Sequence, residues 1–124
     1  MSREWRLYLQ DILRACEKIR RFTRGMTAHH FQTDERTFDA VIRNLEIIGE
    51  AAKQIPDTTR TQMSNVPWRK IAGMRDWLAH AYFDIDFDIL WDVVQNKIPE
   101  LYHQAASFEK EPKRPVRKPR RKKK

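Results

Sequence analysis

The sequence predicts an all-α protein, an up-and-down bundle of four main antiparallel helices plus a short helix. Apolar residues recur at three- and four-residue spacing over long stretches. No segment alternates apolar and polar residues for long enough to make a strand. The polar connections between periodic stretches are short, which favours antiparallel neighbours.

In the first stretch Trp5, Leu9, Ile12, Leu13, Cys16, Ile19 and Phe22 share one face, predicting a helix over roughly residues 3–24 that Gly25 stops. A polar connection follows. Phe38, Val41, Ile42, Leu45, Ile48, Ala52 and Ile55 then mark a second long helix, capped by Thr33 or Asp34 and ended by Pro56. Residues 57–66 carry a weaker pattern, one or two helical turns beginning near Asp57. Pro67 suits the first position of the next helix, where a missing N–H costs nothing. Ile71, Met74 and Leu78 mark that third long helix, which ends near His80. Asp84 or Asp86 caps the last helix, with Ile89, Leu90, Val94, Ile98, Leu101, Ala105 and Phe108 facing inward and Pro99 as a point of kinking. Gly49 and Gly73 read as positions of close helix approach.

With 124 residues the chain is long enough for one domain with a core and too short for two. Charge is unevenly spread. Of 25 Lys+Arg and 17 Asp+Glu residues, ten basic and two acidic ones lie in the last sixteen positions, "EKEPKRPVRKPRRKKK", leaving fifteen of each sign in residues 1–108. Three prolines, little apolar character and like charge predict a disordered tail over residues 109–124. Such a tail either solubilises the chain or anchors a polyanion through counterion release; RNA fits better than a membrane surface, because no amphipathic or lipidation signal accompanies the charges. Arg114, Arg117, Lys118, Arg120, Arg121 and Lys122 are the candidate RNA-binding residues. The single cysteine, Cys16, falls in an apolar stripe, so neither a disulfide framework nor a thiolate metal cage is expected. The opening "MSREWRLYLQ" lacks an apolar run of the length a secretion signal or membrane span needs, and a cytoplasmic protein is expected.

The stretch "AGMRDWLAHAYFDID", residues 72–86, sets Arg75 five residues before His80 and Tyr82 two residues after it. At about 100° per residue, His80 lies roughly 140° around the helix from Arg75 but only about 40° from Asp76. A carboxylate one turn before a histidine can accept its ring N–H and stabilise the imidazolium, as general acid–base work requires. Arg75 sits at the edge of the apolar stripe, where a guanidinium must snorkel outward or find a carboxylate such as Glu46 or Glu50 on the second long helix. Two copies across a two-fold axis could line one cleft with both residue types.

The run Arg75-Asp76-Trp77-Leu78-Ala79-His80-Ala81-Tyr82 resembles the R-x4-H-x-Y signature of the HepT branch of the HEPN family, small helical toxins paired with a MntA-type minimal nucleotidyltransferase. "EIIGEAAKQIP", "VPWRKIAGMRD" and "YFDID…LW" resemble that family too, and together the likeness covers roughly residues 5–105. It implies a HEPN-like helical domain over residues 1–108 and a homodimer whose two motifs meet and cleave RNA without a metal or other cofactor. Arg75 would hold the scissile phosphate, His80 would act as general acid–base, and Asp76 would orient His80. Selectivity over DNA would follow from the need for a 2′-OH. Tyr82 would accept AMP from the MntA-like nucleotidyltransferase antitoxin, placing a phosphate where substrate should bind. Asp76 stands where the family pattern favours asparagine.

Other signals are weaker. Asp84, Asp86 and Asp88 suggest a nucleotidyltransferase's acidic set, yet no strand or Gly-Ser loop accompanies them, and helix capping explains them more simply. His29 and His30 are adjacent in a predicted loop, and neither they nor His103, a surface residue, are assigned a role. The glycines form no phosphate loop. A metal-independent endoribonuclease of a toxin–antitoxin pair is the leading expectation; the alternative is a non-catalytic helical partner that binds RNA or a nucleotidyltransferase.

Overall fold

The computed structural model of the protein describes residues 4–81 and 86–110, without the side chains of residues 79–81 and 110. In chain order the helices are α1 (Trp5–Phe22), α2 (Ala28–Thr33), α3 (Glu35–Lys53), α4 (Asp57–Gln62), α5 (Trp68–Ala81), α6 (Phe87–Asp92) and α7 (Ile98–Lys110), with a π-helical turn (Val93–Lys97) joining α6 to α7. Among the described residues there is no strand, and no helix is long and apolar enough to cross a membrane. The four long elements are α1, α3, α5 and the continuous α6–α7 rod. They form the expected all-α bundle, with two short helices, α2 and α4, where the sequence predicted one.

Local chemistry sets the boundaries. Glu4 accepts the Arg6 N–H at the start of α1. At its end Thr23 donates both its N–H and its hydroxyl to the Ile19 carbonyl, and Gly25 turns the chain away at φ +77°, the left-handed region that glycine enters at least cost. Asp34, of the two candidate caps, accepts the Thr37 N–H at 3.1 Å and opens α3. Helix α5 begins at Trp68, one residue later than predicted; the Pro67 carbonyl accepts its first i to i+4 bond, from the Ile71 N–H. Asp86 caps α6 by accepting from the Asp88 and Ile89 N–H groups. Asp84 lies outside the described residues.

The connection after α1 is more ordered than its polar composition predicts. Thr27 caps α2 through the His30 N–H, so His29 and His30 stand on a short helix instead of in a loop. The helix exists because Phe31 is fully buried, with ring centroids 5.2 Å from Trp91, 6.0 Å from Phe38 and 6.4 Å from Phe87. Burying one such side chain is worth roughly 1.5–3 kcal/mol, enough to override weak local propensity. Pro99, expected to kink the last helix, is accommodated by the π-helical turn just before it: the Ile98 N–H reaches back to the Val93 carbonyl, and the rod continues past a residue with no N–H to give. Ile89, predicted to face inward, is 52% exposed.

Helix α3 lies between α1 and α5, and α1 packs against α7. The α1–α7 pair is antiparallel, for the Trp5 ring meets Phe108, Gln10 Nε2 donates to Glu109 and the Tyr102 hydroxyl donates to Glu17. Leu9, Ile12, Cys16, Ile19, Val41, Leu45, Ile48, Leu78, Leu90 and Val94 form the centre of the core. Burial pushes the Cys16 thiol up to about 12, which makes it an inert core residue as its stripe position predicts. Arg60 ties the α4 segment down by donating to the Ala52 carbonyl at 2.8 Å, and Trp68 does so by donating to the Met63 carbonyl.

Candidate active site

The α3–α5 contact positions Arg75. Gly49 faces α5 so closely that a Cβ built on it would stand 3.3 Å from the Arg75 backbone nitrogen and from the Ile71 carbonyl oxygen. Gly73, also read as a close-approach glycine, has nothing within 4 Å of that position, so the expectation holds for Gly49 and fails for Gly73. With the two backbones held together, Arg75 reaches the residue beside Gly49. Its Nε lies 2.8 Å from Glu50 Oε2, both side chains being half exposed. Of the two carboxylates the sequence offered, Glu50 takes the guanidinium, while Glu46 lines the same cleft.

That cleft, of about 450 Å³, lies over α1, α3 and α5 and is walled by Tyr8, Asp11, Arg43, Glu46, Glu50 and Arg75. Sequence reasoning did not gather Tyr8, Asp11 or Gln54 there; Arg43 it had set beside Glu46 and Glu50 as a candidate partner. A signal for them existed: residues 43, 46 and 50 follow helical spacing along α3, with 54 at its C-cap, and residues 8 and 11 do so along α1. Their partnership across helices is not visible in either stripe alone.

Asp76 is exposed, next to Arg75 on α5, and one helical turn before His80. The backbone of His80 belongs to α5; its side chain lies outside the described residues, as do Tyr82 and the tail residues Arg114, Arg117, Lys118, Arg120, Arg121 and Lys122. Helix α5 runs through both positions, which sets residues 75 and 80 about 140° apart around its axis. Among the described residues no three His, Cys, Asp or Glu side chains gather as a metal site needs.

On its other side α5 borders a groove of about 690 Å³ shared with α6, the π-helical turn and α7. Its lining is largely apolar and includes Met74, Trp77, Ile89, Val93 and Leu101. The exposure of Ile89 follows from this, since it stands on the groove wall.

Residues 12–108 match the family model described as "Ribonuclease HepT-like". The chain is similar to "Probable ribonuclease HepT" of Thermococcus cleftensis, with 48% identity over 101 residues that cover 82% of this chain and 92% of the relative. It is also similar to two proteins whose names mark them as candidate RNases. One, from Methanocaldococcus jannaschii, is 44% identical over 79% of this chain and 81% of its own. The other, from Caldanaerobacter subterraneus subsp. tengcongensis, is 43% identical over 80% of this chain and 88% of its own. No solved structure matches the chain.

Proposed function

The chain belongs to the Ribonuclease HepT-like family, and on that premise we propose that it is a metal-independent endoribonuclease, the toxin of a toxin–antitoxin pair, acting as a homodimer. The observation that carries this reading is the divergence of Arg75 and His80 on one regular helix beside a cleft open to solvent. One α5 carries the two positions about 140° apart; two copies across a two-fold axis would let Arg75 of one face position 80 of the other. The apolar groove on α5 supplies unfilled surface of the kind such an association buries.

In the proposed reaction the substrate's 2′-OH attacks the adjacent phosphorus and loses its proton to a neutral His80. The bond from phosphorus to the 5′ oxygen breaks, and that oxygen takes a proton from an imidazolium. The products are a 2′,3′-cyclic phosphate and a 5′-hydroxyl. Arg75 holds the non-bridging oxygens as charge builds on them, and Asp76, one turn before His80, orients the ring. RNA supplies the nucleophile, so the step calls for no metal-bound water. Tyr82 is proposed as the acceptor of AMP from a MntA-like nucleotidyltransferase antitoxin, and the residues Arg114 to Lys122 as a salt-sensitive RNA anchor.

The test is digestion of RNA by purified protein in excess chelator, with product ends mapped. Cyclic 2′,3′-phosphate ends are expected, with loss of cleavage in His80→Ala while circular dichroism is unchanged. Intact RNA with folded wild-type protein would instead favour a non-catalytic partner. Coexpression with the nucleotidyltransferase should add AMP mass to the peptide bearing Tyr82 and silence cleavage.

A further inference from the structure

A guanidinium binds a phosphate best through its two terminal nitrogens, whose parallel N–H bonds match two phosphate oxygens. That edge is useful only when the long side chain is held still and the terminal nitrogens are not already spent on protein carboxylates. Arg75 is held at its other edge. Its closest contact with Glu50 is through Nε, at 2.8 Å, on the side of the guanidinium, and its side chain is half exposed beside the cleft. Three other charged groups, Asp11, Arg43 and Glu46, line the same cleft, so an unheld Arg75 would have rival carboxylates within it.

The base of the pair is as constrained as its tip. Gly49, directly before Glu50, lets α5 approach until a Cβ would be 3.3 Å from the Arg75 nitrogen and 3.4 Å from the Arg75 Cβ. Both side chains therefore spring from backbones in contact, and the carboxylate needs only its own short stem to reach Nε. We propose that Glu50 is a positioning residue, which holds Arg75 by Nε so that its terminal nitrogens face the scissile phosphate of RNA. This rests on the reading of Arg75 as the phosphate-holding group. A merely structural ion pair would stabilise the α3–α5 contact and leave catalysis alone.

The two roles separate in steady-state kinetics on the full-length protein. Glu50→Ala should lower kcat by about tenfold to a hundredfold, the scale of a misplaced catalytic contact, while leaving KM within a small factor. Glu50→Gln keeps a carbonyl that accepts the Nε–H and should restore most of kcat. In ¹H–¹⁵N spectra the Arg75 Nε–H resonance, assigned by its absence in Arg75→Lys, should be present and exchange-protected in wild type and Glu50→Gln but not in Glu50→Ala. If Glu50→Ala does not fold, Glu50→Met, which keeps the stem, replaces it with the same expected outcome. Wild-type kcat in the Ala or Met variant, with Arg75→Ala inactive, overturns the positioning role alone. Wild-type cleavage by Arg75→Ala overturns the reading of Arg75 beneath it.

Discussion

The Arg75–Glu50 pair is half exposed on both sides, so water screens it and its contribution to folding is on the order of 0–1 kcal/mol. Its importance must therefore be sought in orientation, which is where the kinetic test above looks. Asp34 is a residue whose role is stability. The Thr37 N–H, its largest influence, holds the Asp34 carboxyl below its ordinary value of 3.8, helped by the charges of His30 and Arg36. A lowered folded-state pKa means that the carboxylate's stabilising contribution is complete above the unfolded pKa and is lost as pH falls through the folded one. Asp34→Asn keeps a capping oxygen without the titration. The thermal stability gap between wild type and Asp34→Asn should be present at pH 7 and close as pH drops below about 4; a gap independent of pH would remove the charge from the account.

At the scale of elements, the two helical glycines make opposite predictions. Alanine at position 49 would press on backbone atoms of α5, which cannot rotate away as a side chain can. Overpacking of that kind costs about 1–3 kcal/mol, against a gain of about 1 kcal/mol in helix propensity. Gly49→Ala should thus lose about 1 kcal/mol, roughly 4 °C in Tm, and should also disturb Arg75. Gly73→Ala meets no atom of its own chain within 4 Å, though it lines the groove that the proposed dimer would bury, so its gain of up to about 1 kcal/mol in helix propensity should show in the dilute, dissociated chain. Paired melting curves check both signs. Helix placement was largely legible beforehand, because periodicity, Asp34, Gly25 and Asp86 are local signals read within one or two turns. Helix α2 was not, because its reason is Phe31 meeting Trp91 and Phe87 from distant parts of the chain.

At the scale of the whole molecule, the proposed site needs two chains. Light scattering at micromolar concentration should give twice the 15.0 kDa chain mass; a monomer that still cleaves RNA at the wild-type rate would refute the shared site. A chain ending at Lys110 keeps all of α7 and should retain dimerisation and cleavage. It should bind RNA with a shallower dependence on salt, because fewer counterions are released. An unchanged slope would reduce the tail to a solubilising segment. The candidate site was legible as far as its linear motif: Arg75, Asp76 and His80 share a helix, and their angular relation follows from that alone. Its far wall was not, since Tyr8 and Asp11 come from α1.

Sequence by itself determined what depends on neighbours along the chain: the long helices, most of their caps, the burial of Cys16, and the angular separation of positions 75 and 80 on one helix. Tertiary structure alone decided what depends on how two helices meet. It selected Glu50 over Glu46 as the partner of Arg75, made Gly49 a contact and Gly73 open surface, and left Ile89 on a groove wall. The physical reason is that helical periodicity assigns a residue to a face, whereas the depth and register at which two faces pack are set by side-chain volumes on both. Only when α3 and α5 close over Gly49 does one carboxylate come within 2.8 Å of the guanidinium.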